Sequence, residues 1–181
     1  MRPIFTIHAG EFLVGQHIES KFKDKNVWVP TKDRGLDLLV TNKSNKRALG
    51  VQVKFSRDFL PLMKLDPSAT KALRSCTWFT LERAKIAQST ADIWVLVLLG
   101  FAKSTYDFVI IPPRELLKKL EQLHPRLERY QTYVWVTKRE RAWLTRGVSK
   151  EEQLKITANT YDHELRDLSP ELNNWNRIEQ L

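Results

Sequence analysis

GLDLLVTNKSNKRALGVQVKF, residues 35–55, consists of two apolar runs separated by the polar tract at 41–47. Apolar, β-branched runs on either side of a polar turn describe a β-hairpin. With Ser44-Asn45 as a two-residue loop, the numbers of facing residues add up to 89, which sets Asp37 opposite Gln52. Side chains alternate faces along a strand. Lys54 therefore joins Asp37 and Gln52 on one face, while Leu36, Leu38, Val40, Val51, Val53 and Phe55 line the other. An acid, an amide and an ammonium at the centre of an apolar hairpin are costly unless they meet a ligand or water. The plainer alternative is a cross-strand Asp37–Lys54 ion pair on a solvated face, worth under ~1 kcal/mol. Register decides between a convergent site and scattered charges, because a slip of one residue turns Asp37 away from Gln52. Ser-Asn is not the Asn-Gly or Asp-Gly that a tight primed turn prefers.

Upstream, AGEFLVGQHIESKF (9–22) carries Glu11, Val14, Gly15, Ile18 and Phe22 at spacings of three and four. This is one helical stripe, so Glu11 points where the apolar face points. Gly15 on that face permits close approach to a sheet, which would bring Glu11 towards the hairpin. As a first-turn acid, Glu11 also complements the helix dipole, and that alone would explain it.

Glu11 on the first helix, Gly35-x-Asp37 opening one strand and Gln52-x-Lys54 in the next resemble the PD-(D/E)XK nuclease superfamily. The Gln-x-Lys form is similar to the Mrr-type restriction endonuclease branch, and the resemblance covers roughly residues 8–112. Two departures stand out: Leu36 rather than proline precedes Asp37, and an amide replaces the acid of the third motif. The resemblance implies a restriction endonuclease-like α/β (α+β) fold, a mixed β-sheet flanked by helices. It implies a magnesium-dependent endodeoxyribonuclease, with manganese able to substitute, acting on double-stranded DNA. Asp37 would be a direct metal ligand, the Gln52 side chain and Val53 carbonyl would also face the metal, and Glu11 would act directly or through water. Lys54 would orient or help deprotonate the attacking water. Such chemistry needs charge stabilised on the phosphoryl oxygens and a water made nucleophilic, and magnesium wants hard oxygen ligands. Small nucleases of this type often pair to cut both strands, so a homodimer is also implied.

At 181 residues and 42% hydrophobic content, the chain can bury a sizeable core as one domain. We read a nuclease-like core over about 8–137 and a helical C-terminal extension over about 138–181. No run of about 18 apolar residues could span a membrane, and MRPIFTIHAGEFLVG has no signal-peptide pattern. A single cysteine, Cys76, leaves no internal disulfide and suits a reducing cytosol. The four histidines show no zinc spacing. The net charge is +9, and residues 1–90 hold 16 Lys and Arg against 8 Asp and Glu, whereas residues 91–181 hold 14 against 13. The excess is expected around the site, where a basic field attracts polyanions.

NVWVP (26–30) reads as a short strand leading to a loop with Lys32 and Arg34. Residues 56–76 read as a loop or short-helix insertion over the cleft, with Arg57, Lys64, Lys71 and Arg74 as further nucleic-acid contacts, or as a packed surface crossover. Residues 77–89 are expected to be helical, with Phe79, Arg83 and Ile86 roughly in register. ADIWVLVLLGF (91–101) is a strand buried on both faces, YDFVIIPP (106–113) its neighbour, and Pro112-Pro113 opens the next helix. Asp92 and Asp107 read as end-cap or turn residues. A strand over 129–138 precedes a charged, helical region with Ser149-x-x-Glu152 as a capping box and Ser169-Pro170-Glu171 as a second helix start. Trp143, Tyr161, Leu165, Leu172 and Trp175 pack on the body by default, and Arg139, Arg141 and Arg146 around Trp143 would suit a phosphate-lined edge. Two other functions remain open from these residues: a nucleic-acid-binding protein without catalysis, and an assembly subunit whose basic face serves another protein.

Overall fold

The computed structural model describes residues 8–32, 35–56, 67–102 and 105–181. The chain is mixed α+β. It begins with α1 (Ala9–Lys21), β1 (Lys25–Trp28), β2 (Leu38–Asn42) and β3 (Ala48–Ser56). Then follow α2 (Pro67–Ala72), β4 (Leu73–Glu82), α3 (Arg83–Ala87), β5 (Ile93–Leu99), β6 (Tyr106–Ile111) and α4 (Pro113–Leu123). The chain closes with β7 (Arg129–Thr137), β8 (Ala142–Leu144), α5 (Lys150–Ala158), a 3-10 turn (Ser169–Glu171) and α6 (Asn176–Glu179). One sheet has the strand order β1-β2-β3-β5-β6, with only β3 and β5 parallel. A second, antiparallel sheet has the order β4-β7-β8. No helix of the described residues is long and apolar enough to cross a membrane.

β5 is the centre of the core because IWVLVLL can be buried on both sides. Ile93, Val95 and Val97 join Val14 and Ile18 of α1 on one face, while Trp94, Leu96 and Leu98 meet the second sheet and α4 on the other. Each fully buried side chain of this kind contributes about 1.5–3 kcal/mol. The parallel β3–β5 pairing requires a crossover, and the intervening chain, which includes α2, β4 and α3, supplies it.

The hairpin register is the expected one: Leu38 faces Val51, Leu39 faces Gly50 and Val40 faces Leu49. Its loop differs. Asn42 N–H donates to Arg47 O at 3.2 Å and Asn45 N–H to Asn42 O at 2.9 Å, so four residues, not two, make the turn. Asn45 takes φ 57°, a left-handed conformation that asparagine tolerates. Both loops are centred between Ser44 and Asn45, which is why the register survives. Leu36 is also corrected: it precedes β2 and packs with the Trp94 side of the sheet, not with Leu38 and Val40.

The expected helix over 77–89 is a strand as far as Glu82 and helical only from Arg83 to Ala87. Thr77, Trp78, Phe79 and Thr80 are all strand formers, and β7 supplies the partner, with Phe79 facing Thr132. One face of the main sheet is consequently covered by a second sheet together with helices. Within 56–76 the expected short helix is present as α2, but Leu73–Cys76 open β4, and Thr70 of α2 lines a cavity apart from Asp37 rather than covering the cleft; Arg57 and Lys64 lie outside the described residues, as does Arg34.

The C-terminal region packs as expected. Trp143, Tyr161 and Trp175 are buried, and the Ser149–Glu152 capping box forms, with Ser149 N–H donating to Glu152 at 2.8 Å. Trp175 stacks on His17 at 4.8 Å and meets Phe108 at 5.0 Å, fastening the last turn to α1. Burial, and then the charge of Lys21, push the His17 imidazole below its ordinary pKa. β8 was not expected. Arg141 does not form a phosphate edge: it pairs with Asp167 at 2.8 Å and lies over Trp143.

Asp107 is a correction with energetic weight. It sits inside β6, its side chain only 11% exposed, and takes a two-pronged ion pair from Arg74 at 2.6 and 2.8 Å. Asn173 adds a third donor at 2.9 Å. Arg74 also reaches Glu140 at 3.2 Å, so its guanidinium is held by carboxylates of its own chain. Arg74→Ala leaves a largely buried carboxylate short of two donors, and stability should fall by about 3 kcal/mol in urea denaturation. A loss under ~0.5 kcal/mol would mean that solvent screens the pair.

Candidate active site

Asp37 stands where β2 begins. In the continued ladder, Val53 N–H would meet the backbone of residue 36, but the chain leaves the sheet there. The Asp37 side chain takes that place: Oδ2 accepts from Val53 N–H at 2.6 Å and from the Gln52 amide. Asp37 N–H donates to Val51 O at 2.9 Å, pinning its backbone. The expected Asp37–Gln52 convergence is therefore present. The alternative Asp37–Lys54 ion pair is not formed, and among the described residues no carboxylate pairs with Lys54. Its ammonium lies 5.2 Å from the centre of the Trp94 ring. Such a cation–π contact holds an amine without neutralising it, and Trp94 is itself fixed by donating to Ser89 Oγ at 2.8 Å.

These groups open onto a cleft of about 680 Å³, lined by Glu11, Asp37, Gln52, Val53 and Lys54. Glu11 performs both tasks expected of it. Oε2 accepts from His8 N–H at 3.1 Å, capping α1, and the side chain also lines the cleft. The close approach that brings α1 here is made by Gly10 rather than Gly15. A Cβ on Gly10 would stand 2.5 Å from Phe55 Cβ, whereas one on Gly15 would meet only Val27 at 3.6 Å. Gly10→Ala should push α1 off β3, cost about 1–3 kcal/mol and misplace Glu11. Gly15→Ala should be neutral or stabilising by up to ~1 kcal/mol, and thermal melts of the two variants check the contrast.

The remaining lining includes His8, Lys85, Gln88, Ser89, Thr90 and Trp94. The sequence reading did not single these out: Lys85, Gln88, Ser89 and Thr90 gather at the end of α3, His8 precedes α1 and Trp94 lies in β5, and only the fold brings them together. Lys85 adds a cation at the rim, shared with Glu82 at 3.2 Å. Of the expected nucleic-acid contacts, Lys32 is exposed but not among the lining residues, and Lys71 is exposed on α2. Arg74 lines a separate cavity of about 550 Å³ beyond the far end of β5.

No protein-family model, curated protein or solved structure matches the chain.

Among the described residues, no three His, Cys, Asp or Glu side chains gather to hold a metal ion by themselves. The oxygen atoms of the cleft include those of Asp37, Glu11, the Gln52 amide and the Val53 backbone, with Gln88, Ser89 and Thr90 also lining it. Val53 N–H points at Asp37, and a strand residue directs its N–H and C=O to the same side. This all-oxygen donor set, two carboxylates with an amide and a carbonyl, fits a hard cation such as magnesium. Gln52 supplies a dipole rather than a charge, so binding should be weaker than at a three-carboxylate site.

Proposed function

We propose that the chain is a metal-dependent nuclease, an endonuclease acting on double-stranded DNA, with Glu11, Asp37, Gln52 and Lys54 as its site. The observation that carries this reading is the convergence of Asp37, Gln52, Val53, Lys54 and Glu11 on one cleft. A magnesium or manganese ion, when bound, would supply charge neutralisation at the phosphoryl oxygens and a more acidic water. Asp37 and Glu11 would hold it, with the Gln52 and Val53 oxygens completing the protein's share. Asp37 is oriented for this by the Val53 N–H. Lys54, held over Trp94 and free of carboxylate partners among the described residues, would meet the phosphate or orient the attacking water, and would accept that water's proton only after giving up its own to solvent. Pairing of two copies would let both strands be cut, and the single buried cysteine suits a cytoplasmic protein.

A second reading, nucleic-acid binding without cleavage, draws on the amide at Gln52 and on Asp37 Oδ2 already accepting two N–H donors. One experiment separates them. A labelled duplex is bound in chelator and then supplied with magnesium or manganese. The nuclease reading expects binding first and cleavage on addition of metal. Binding with no cleavage in either metal transfers the conclusion to the second reading, and absence of both removes nucleic acid altogether.

A further inference from the structure

Among the described residues, much of the first half's basic excess lies away from the cleft, whose lining holds Lys54 and Lys85. The chain turns from α1 into β1 beside the β2–β3 loop: Lys25 faces Asn42, and Asn26 donates to Asn45 at 3.0 Å. This contact assembles Lys21, Lys23, Lys43, Lys46 and Arg47 at the end of the five-stranded sheet opposite Asp37. All five are exposed, and none is paired with a carboxylate among the described residues. The nearby Asp24 carboxyl is held below the usual range, first by the Lys25 hydrogen bond, with Lys43 contributing from the hairpin loop. Lys21 and Lys23 complement the C-terminal end of the α1 dipole, but that leaves the hairpin cations unexplained. Like charges brought together repel; among the described residues Lys43 is offset by the attraction of Asp24, and Lys46 forms no ion pair.

We infer that this end of the sheet, carrying Lys21, Lys23, Lys43, Lys46 and Arg47, is a contact surface for the sugar–phosphate backbone of a nucleic acid that also reaches the cleft. Two features favour this partner. A groove of about 480 Å³ between α1 and β1 starts at Glu11, which also lines the cleft, and reaches Lys23. From Asp37 to Lys43 is six residues of extended chain, ~20 Å, or about six base pairs at ~3.4 Å each. Of the large apolar side chains exposed among the described residues, Phe12 lines the connecting groove and Trp28 donates to Thr41 on β2, whereas Phe55 and Leu154 lie elsewhere. The five cations themselves suit phosphates, and no large apolar side chain stands among them in the hairpin loop to enter a bilayer. The backbone contact stands apart from catalysis; only the joint path to the cleft rests on the nuclease reading.

The test is fluorescence anisotropy of a labelled 30-base-pair duplex in chelator, across a salt series. It uses the full chain, the reversal variant Lys43→Glu/Lys46→Glu/Arg47→Glu and the milder Lys43→Gln/Lys46→Gln, which keeps the Arg47 bond to Gln180 O. Thermal melts establish that each variant is folded. Loss of three phosphate contacts should reduce the slope of log affinity against log salt by ~2.7, and two contacts by ~1.8. Affinity of the reversal variant should fall at least ~10-fold. Unchanged slope and affinity in both variants overturn the inference. So does duplex binding unaffected while binding to phosphatidylserine vesicles is lost, which would assign the surface to a membrane. If the unaltered chain binds but never cuts while the variants lose binding, the nuclease reading fails and this surface stands. If it cuts and the variants bind and cut equally, only this surface fails.

Discussion

Lys54→Ala should lower metal-dependent cleavage by about 10²–10⁴-fold, the range typical of a lost proton-transfer group, while duplex affinity in chelator changes by less than ~3-fold. The separation follows from where the ammonium sits. It is one cation among many for long-range attraction, yet the one described cation held over the Trp94 ring beside Asp37 and Gln52. The fold should notice the change little, since the lost cation–π contact is worth only about 0.5–1 kcal/mol at a partly exposed site. Lys54→Arg keeps the charge but not the compact ammonium, and should recover only part of the rate. Parallel rate and anisotropy measurements decide the matter, and equal losses in both would reduce Lys54 to an ordinary phosphate contact.

Asp37→Ala should be the more damaging substitution. Cleavage should fall by about 10³-fold or more, several kcal/mol of transition-state stabilisation, because the central carboxylate of the cleft is gone. Stability should fall as well, by about 1–3 kcal/mol, since Val53 N–H and the Gln52 amide lose their shared acceptor. Asp37→Asn separates these roles. Its side-chain oxygen can still accept from Val53 N–H, so the melting temperature should stay close to the parent's while cleavage remains lost. If the asparagine variant cuts normally, the Asp37 carboxylate only closes the end of β2 and has no chemical part.

The hairpin was legible in the sequence because one apolar alternation and one polar turn fix it together. A wider loop left the same midpoint, so Asp37 still meets Gln52. The convergence of the candidate residues Asp37 and Gln52 on that hairpin followed directly. What escaped was set by partners distant in the chain. Thr77–Glu82 has spacing compatible with a helix, but its β-branched and aromatic residues favour a strand once β7, some fifty residues on, supplies the partner. Arg74 looked like a free cation until Asp107 was found opposite it. Gly15 looked like the point of helix–sheet contact, but the distance to Phe55 assigns that role to Gly10. The charge count was legible, but among the described residues five of its cations stand away from the cleft. Folding brings α1's end and the hairpin loop together, away from the cleft, which no linear tally shows.

The most direct test of the catalytic claim is incubation of supercoiled plasmid with purified protein and with Lys54→Ala, each in magnesium and in chelator. Nicking or linearisation by the unaltered protein in magnesium, absent in chelator and in the variant, is the expected result. An unaltered protein that leaves the plasmid supercoiled in magnesium, or a variant that cuts as fast as its parent, would contradict the assignment of this cleft as a nuclease site.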